Sequence, residues 1–294
     1  MDAALPEDRL EPVLHIEAPA ELRLPLVFAS PHSGARYPLE FLAQSALDPQ
    51  NLRRSEDSFV DELFAEAPHQ GAPLIKALFP RAYLDPNREA YELDPAMFDG
   101  PLPDFVNSRS PRVSAGLGTI ARLVATGAEI YRRKLSFAEV ERRIEHLYRP
   151  YHAALNRLIE DAVGHFGYCI LVDCHSMPSV GGPTDRDNGA SRVDVVLGDC
   201  FGTSCAPAVT HAAEIALRQM GYRVVRNSPY AGGYTTRHYG APKKGRHSLQ
   251  IELNRRLYMD ERTHMKRPGF EQLRRQLGTL VAALAQVPAS ELKP

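Results

Sequence analysis

Apolar runs of strand length alternate along this 294-residue chain with amphipathic helical segments and Gly- or Pro-rich turns, which predicts a three-layer α/β sandwich around a mixed, mainly parallel sheet. Two further observations support that architecture. The run YCILV at 168–172 is apolar without alternation, as in an interior strand covered on both faces. Near the C-terminus, IELNR carries Glu252 between Ile251 and Leu253, so alternation points the acid away from both neighbours. In open α/β folds chemistry collects at the rim where strands end, and 168–172 runs straight into DCHS.

Residues 1–20 mix Pro, Glu and Asp and predict a loose arm ahead of a first strand at 24–29. SPHSGARYP then imposes a loop through Pro31, Gly34 and Pro38 and delivers His32 just past the strand. Over 51–67, Phe59, Val60, Leu63 and Phe64 make a helical stripe with Glu56 and Asp57 near its start. A short strand at 73–78 leads into FPRAYLDPNRE, and 85–119, rich in Pro, Gly, Asp and Ser, reads as a long surface loop suited to binding or to covering a site. The segment 136–163 is helical, with Pro150 kinking or dividing it. After strand 168–172 come a Gly- and Asp-rich loop, a strand near 194–197 and a helix over 205–220 that Gly221 ends. The strand YRVVRN, the Gly-rich SPYAGGYTTRHYGAPKKG, the strand HSLQIELNR and a helix over 268–286 complete the order. No repeat or linker divides residues 1–294, which predicts one domain.

The balance of 35 Lys plus Arg against 36 Asp plus Glu argues against a nucleic-acid surface and favours small-molecule partners. Cys169, Cys174, Cys200 and Cys205 form neither a CxxC pair nor a dense scaffold, and no charged segment with an apolar core opens the chain, so reduced thiols and a cytoplasmic setting are expected. No apolar stretch approaches the roughly 20 residues of a membrane span.

Three strand-to-loop junctions carry His32, His175, and the pair His238 and Glu252. Converging imidazoles and a carboxylate make a metal site with one position left to water, although a single loop histidine is more often a hydrogen-bonding residue. The acid completing the set is Asp57, with Asp61 one turn on as its support, or Glu56; both also suit a helix N-terminus. Glu252, if it faces a cleft, gains a raised pKa and can shuttle a proton. Arg81, Asn87 and Arg88 offer carboxylate recognition, against the plainer pairing of Arg88 with Asp85 or Glu89. Gly232-Gly233 lacks the spacing of a phosphate loop. Ser33 and Ser176 flank histidines without a GxSxG elbow, and Cys174 adjoins His175, where strand neighbours face opposite ways.

Together SPHSG, EDSFVDELF, RAYLDPNRE, DCHSMP, GGYTTRHYG and LQIELNR, in this order over about residues 25–262, resemble the N-formylglutamate amidohydrolase family, also called N-formylglutamate deformylase. The resemblance implies a zinc-carboxypeptidase-like fold, shared with the aspartoacylases, and a Zn²⁺ enzyme with one ion per chain, another divalent metal being allowed. It would cleave N-formyl-L-glutamate to formate and L-glutamate in histidine breakdown. On that pattern His32, His175 and an acid at Asp57 or Glu56 hold the metal, and Glu252 serves as base and acid. Arg81 sits beside the developing oxyanion, and Asn87 and Arg88 grip the α-carboxylate; beyond the resemblance, the Gly-rich loop offers Arg237, in competition with His238, for the side-chain carboxylate. One departure from the carboxypeptidase pattern is Ala35, three residues after His32, where a glutamate ligand would stand. The expected partner is a small anionic N-acyl amino acid, with no nucleic acid and no membrane, and with room for a homo-oligomer. Two alternatives remain: a metallopeptidase or amidase acting on a peptide or cell-wall fragment along loop 85–119, and a non-catalytic carboxylate-binding module.

Overall fold

The alternation of the apolar runs decides how the layers stack. In the computed structural model, which describes residues 5–7, 10–183, 185 and 187–294, seven strands form one sheet: β1 (Leu14–Glu17), β2 (Leu26–Ser30), β3 (Leu74–Ala77), β4 (Cys169–Met177), β5 (Val195–Gly198), β6 (Val224–Arg226) and β7 (Arg246–Asn254). Their order across the sheet is β1-β3-β2-β4-β7-β5-β6. Pairing is parallel from β3 through β2 and β4 to β7 and again between β5 and β6, and antiparallel where β1 meets β3 and β5 meets β7.

Successive residues of each strand enter different cores. Leu26, Phe28, Leu74, Ile170, Val172, Leu249, Ile251 and Leu253 pack on one face beneath α1 (Val60–Leu63), α2 (Glu66–Gln70), α5 (Pro207–Gln219) and α7 (Phe270–Ala285). Val27, Ala29, Ile75, Ala77, Cys169 and Leu171 pack on the other, beneath α4 (Arg149–Phe166), α3 (Phe137–Arg143) and segment 79–148. Helix, sheet and helix are therefore the three layers expected, because a strand covered on both faces must be apolar at every position. α6 (Tyr234–Tyr239) sits at the strand ends between β6 and β7.

Several boundaries differ from the sequence reading, each for a local reason. The stretch 1–20 is not simply a loose arm: Leu5–Glu7 pairs with Arg36–Pro38, and β1 forms an edge of the main sheet, while residues 1–4, 8 and 9 lie outside the described part. The stripe over 51–67 is not one helix. It breaks at Glu56, which is extended, and at Phe59, whose φ of 67° is left-handed; a bulky residue holds that conformation only at a cost. Strand β4 runs five residues beyond Val172, so Asp173, Cys174, His175 and Ser176 are strand residues. Helix 136–163 starts on a capping box between Ser136 and Glu139 and passes through a π-helical turn, Ile144–Tyr148, just ahead of Pro150. The wider turn accommodates a residue that has no N–H to donate. Gly167 and Gly221, at φ 83° and 92°, close α4 and α5.

Among the described residues no helix is long and apolar enough to cross a membrane, and the four cysteines are free thiols. Phe28 is fully buried in the central strand, its ring 5.8 Å from that of Phe64. Phe28→Ala is expected to lose about 3–5 kcal/mol of unfolding free energy, measured by urea denaturation followed through circular dichroism.

Candidate metal centre and active site

On the α4 side of the sheet, the apolar rows turn polar as the parallel strands reach their C-terminal ends. Cys169 and Leu171 of β4 are followed on the same face by Asp173 and His175, and Ser248 of β7 by Gln250 and Glu252. The parallel register sets His175 opposite Glu252 and Asp173 opposite Gln250. His32, two residues past β2, and Asp57 complete the group. Gly34 lets the His32 loop lie against the backbone of residues 78 and 79, where a Cβ would collide with the Phe79 carbonyl. The backbone N–H of Asp57 donates to the His32 carbonyl at 3.0 Å, so the two loops are tied together.

His32, Asp57 and His175 bring three donor atoms together. Asp57 Oδ2 lies 3.2 Å from His32 Nδ1 and 3.0 Å from His175 Nδ1, and the two Nδ1 atoms are 3.1 Å apart. All three residues are at most 2% exposed. Ligands in a tetrahedral zinc site with bonds of about 2.0–2.1 Å stand roughly 3.3 Å apart, so the triangle has the size of one face of such a site. The outward nitrogens explain why lone pairs point inward. His32 Nε2 donates to Asp85 Oδ1 at 2.7 Å. His175 Nε2 lies 2.9 Å from Asp173 Oδ1; the geometry falls short of a hydrogen bond there, so that contact is mainly electrostatic. The carboxylate behind His32 fixes the tautomer that leaves its Nδ1 free to bind a metal, while His175 Nε2 also lies 3.2 Å from the Asn87 amide nitrogen.

The protonation energetics express the same demand for positive charge. Burial alone would lower the pKa of His175, yet the Asp173 and Asp57 carboxylates outweigh it and hold it well above the ordinary imidazole value. Burial would raise Asp57, but its contacts with His175 and His32 hold it well below the usual carboxylate range. Asp57 Oδ1 accepts from Ser176 Oγ at 3.1 Å and Arg255 Nη2 at 3.2 Å, which leaves Oδ2 alone facing the imidazoles.

Glu252 accepts from Gln250 Nε2 at 2.9 Å, and burial raises its pKa to about 7, with Asp57 adding to the rise and His175 and Arg81 opposing it. A carboxylate poised there can both take and return a proton near neutrality. Arg81 Nη2 donates to Asp85 Oδ2 at 2.7 Å. The DPNRE turn is clamped from α4 and the turn before it: Tyr148 Oη donates to the Arg88 carbonyl and His152 Nε2 to that of Pro86, both at 2.8 Å. Arg88 uses Nε on Leu117 O and Nη1 on Asn87 O. Asn87 Oδ1 accepts from Thr235 N at 2.8 Å, against Gly233, where any side chain would overlap the Asn87 amide.

His32, Asp57, His175, Glu252, Arg81, Asn87 and Arg88 thus line a single cavity, as the sequence reading expects them to converge. Other expected residues do not reach it. Glu56 turns to Tyr37, Arg53 and Ser58, so it is not the acid of the triangle. Asp61 pairs with Lys76 rather than supporting Asp57. Arg237 and His238 are exposed on α6, outside the cavity lining. Ser33 bonds Ser30 and the Asp61 amide, and Cys174 faces the opposite core with its thiol pushed well up by burial, which removes both nucleophile readings. In the Gly-rich loop the amides of Gly233 and Thr235 are spent on Gln250 and Asn87, not offered to phosphate. The residues that sequence reasoning missed are Gln250, Arg255, Arg112, and Asp85 as the partner of His32. Asp85 carried one signal, its place four residues after Arg81 and three before Arg88.

A family model described as N-formylglutamate amidohydrolase matches residues 24–259. N-formylglutamate deformylases of Pseudomonas putida and Pseudomonas aeruginosa are 28% and 29% identical to this chain over 242 residues, which is 81% of its length and 83% and 84% of theirs. The crystal structure of N-formylglutamate amidohydrolase from Ralstonia eutropha JMP134 superposes with a TM-score of 0.85 at 40% identity, covering 93% of this chain and 97% of that one. A gene product of Agrobacterium tumefaciens, 20% identical, shares the fold with a TM-score of 0.62 over 92% of this chain and 94% of its own.

A divalent cation entering the triangle must displace the proton that His175 holds in its absence. Below the raised pKa of His175 the apparent affinity should climb about tenfold per pH unit, measured by competition with a chelating dye between about pH 6 and pH 8. Asp85→Asn should weaken binding about 10–100-fold by loosening the His32 ring. A pH-independent affinity would contradict the proton count.

Proposed function

The chain belongs to the N-formylglutamate amidohydrolase family, and from that premise we propose that it hydrolyses the amide of N-formyl-L-glutamate to formate and L-glutamate with a divalent metal held by His32, Asp57 and His175. The observation that carries this reading is the buried triangle of donor atoms beside Glu252 in one cavity. Two imidazole nitrogens and a carboxylate oxygen make a donor set that suits zinc and leaves a coordination position open. When bound, the ion would supply Lewis acidity and bring the pKa of water to roughly 7.

The remaining steps fall to side chains. Glu252 takes a proton from the attacking water as its oxygen bonds to the formyl carbon. It returns that proton to the amide nitrogen as the C–N bond breaks, so that formate and the free amine leave with every atom accounted for. Arg81 spends one nitrogen on Asp85 and keeps N–H groups for the oxyanion that develops on the formyl oxygen. Arg88 Nη2, 3.6 Å from Asp85, and the second N–H of Asn87 Nδ2, whose first reaches His175 Nε2 at 3.2 Å, are the groups assigned to the α-carboxylate.

The charge of the cavity supports a doubly anionic substrate. Among the described lining residues, four arginines (Arg81, Arg88, Arg112 and Arg255) equal in number four acids (Asp57, Asp85, Asp185 and Glu252). A divalent ion then leaves two positive charges, which two substrate carboxylates neutralise.

Glu252→Gln should lower kcat for formate release from N-formyl-L-glutamate at least about 100-fold with metal content unchanged at saturating zinc, read by a formate dehydrogenase-coupled assay and elemental analysis. Unaltered turnover in that variant would remove Glu252 from the mechanism, and a zinc-loaded wild-type protein that releases no formate would end the proposal.

A further inference from the structure

Arg237 and His238 lie outside the cavity lining, so the second carboxylate of a dicarboxylic substrate needs another receptor. Four described guanidiniums line the cavity, and three are engaged. Arg255 donates to Ser176 Oγ, the Arg54 carbonyl and Asp57 Oδ1. Arg81 is held by Asp85, and Arg88 by Leu117 O and Asn87 O. Arg112 makes no side-chain hydrogen bond or ion pair with a described residue, although it stands on the wall of the same cavity and its charge lowers the pKa of Arg88. An exposed cation on the cavity wall with no described anion of its own is available to pair with an incoming carboxylate.

The backbone that carries Arg112 is fixed. Ser110 caps the short helix Pro111–Ser114 by accepting from Val113 N at 3.0 Å, and its hydroxyl is also hydrogen-bonded to Glu92. Val113 is buried. The N–H of Leu117 donates to the Arg112 carbonyl at 2.8 Å, while the carbonyl of Leu117 accepts from Arg88 Nε at 2.8 Å. One residue therefore ties the turn bearing Arg112 to the arginine proposed for the α-carboxylate. These two bonds set the position of the Arg112 backbone relative to the Arg88 guanidinium, and the exposed Arg112 side chain is left to move.

We propose that Arg112 is the specificity-determining residue of the cavity, binding the side-chain carboxylate and so selecting N-formyl amino acids with acidic side chains over neutral ones of the same size. The proposal rests on the deformylase reading and deepens it. It also gives loop 85–119 a definite task, the presentation of Arg112 as well as Arg88 on the cavity wall.

The experiment compares N-formyl-L-glutamate with N-formyl-L-glutamine, nearly equal in size and different in side-chain charge. In the zinc-loaded wild-type protein kcat/KM should favour the glutamate substrate. Arg112→Ala should raise KM for N-formyl-L-glutamate about 10–100-fold, leave KM for N-formyl-L-glutamine within about twofold, and leave kcat for both nearly unchanged; Arg112→Lys should restore part of the preference. Equal loss on both substrates, or no loss on the glutamate substrate, overturns the assignment. A wild-type protein that processes both equally well overturns it too while leaving the deformylase reading intact, whereas release of formate from neither overturns both.

Discussion

Three electron-pair donors held about 3.1 Å apart and shut away from water repel one another unless a positive charge joins them. Around this constraint the rest of the site is arranged in shells of alternating sign. Behind His32 stands Asp85, and behind Asp85 stand Arg81 and Arg88. Behind His175 stands Asp173, whose other oxygen accepts from Thr236. Behind Asp57 stand Ser176 and Arg255. Each charge in these shells thus meets an opposite one within 4 Å, the condition on which buried ions are tolerated at all. A cation in the triangle completes this alternation at its centre.

The sheet makes such an arrangement affordable in conformational terms. His175 and Glu252 lie in neighbouring parallel strands with their Cα positions in register, and both strands continue downward as apolar rows in the two cores. Rigid strands hold the two side chains without side-chain entropy being lost to loop ordering. The groups that come from loops are each anchored to something rigid: Asp57 to the His32 carbonyl, Asn87 to Thr235, and the DPNRE turn to Tyr148 and His152 of the helical segment over 137–166. The left-handed Phe59 belongs to the same economy, since the turn it forces sends Asp57 toward the strands while Val60 and Leu63 enter the core.

What could be read from the sequence was what periodicity and strand ends encode. The layers followed from apolar runs, and His32, His175 and Glu252 from their places at or past strand ends. The length of β4 was hidden because DCHS fails an apolar count, although its parity continues unbroken: Cys174 enters the core while His175 faces the cavity with Asp173 behind it on the same side of the sheet. Asp57 and Glu56 are sequence neighbours, and a helix start favours neither. The choice is made by tertiary contacts, the His32 carbonyl on one side and Tyr37 with Arg53 on the other. Asp85 was masked by the ease of pairing it locally with Arg88. Arg112 and Arg255 sit in segments without periodicity, and Arg237 misled because a Gly-rich loop gives no sign of which way a short helix beyond it will turn its side chains.

The state of Glu252 follows from two opposed influences that neither the acid nor the metal site sets alone. Burial lifts its pKa to about 7 when no cation is present, which would leave it about half protonated at neutral pH and to that extent unable to accept a proton. A divalent charge in the adjacent triangle lowers that pKa, because the ionised form is the one attracted to it. On the proposed mechanism, removing the cation would disable the base as well as the Lewis acid, and metal and carboxylate would act as one unit. The converse holds for binding: an ionised Glu252 adds a fourth negative group near the cation without serving as its ligand, and so strengthens metal retention as pH rises. A neutral amide at position 252 keeps the shape and loses both effects, which makes proton transfer and the electrostatic share of metal affinity separable by their pH dependence.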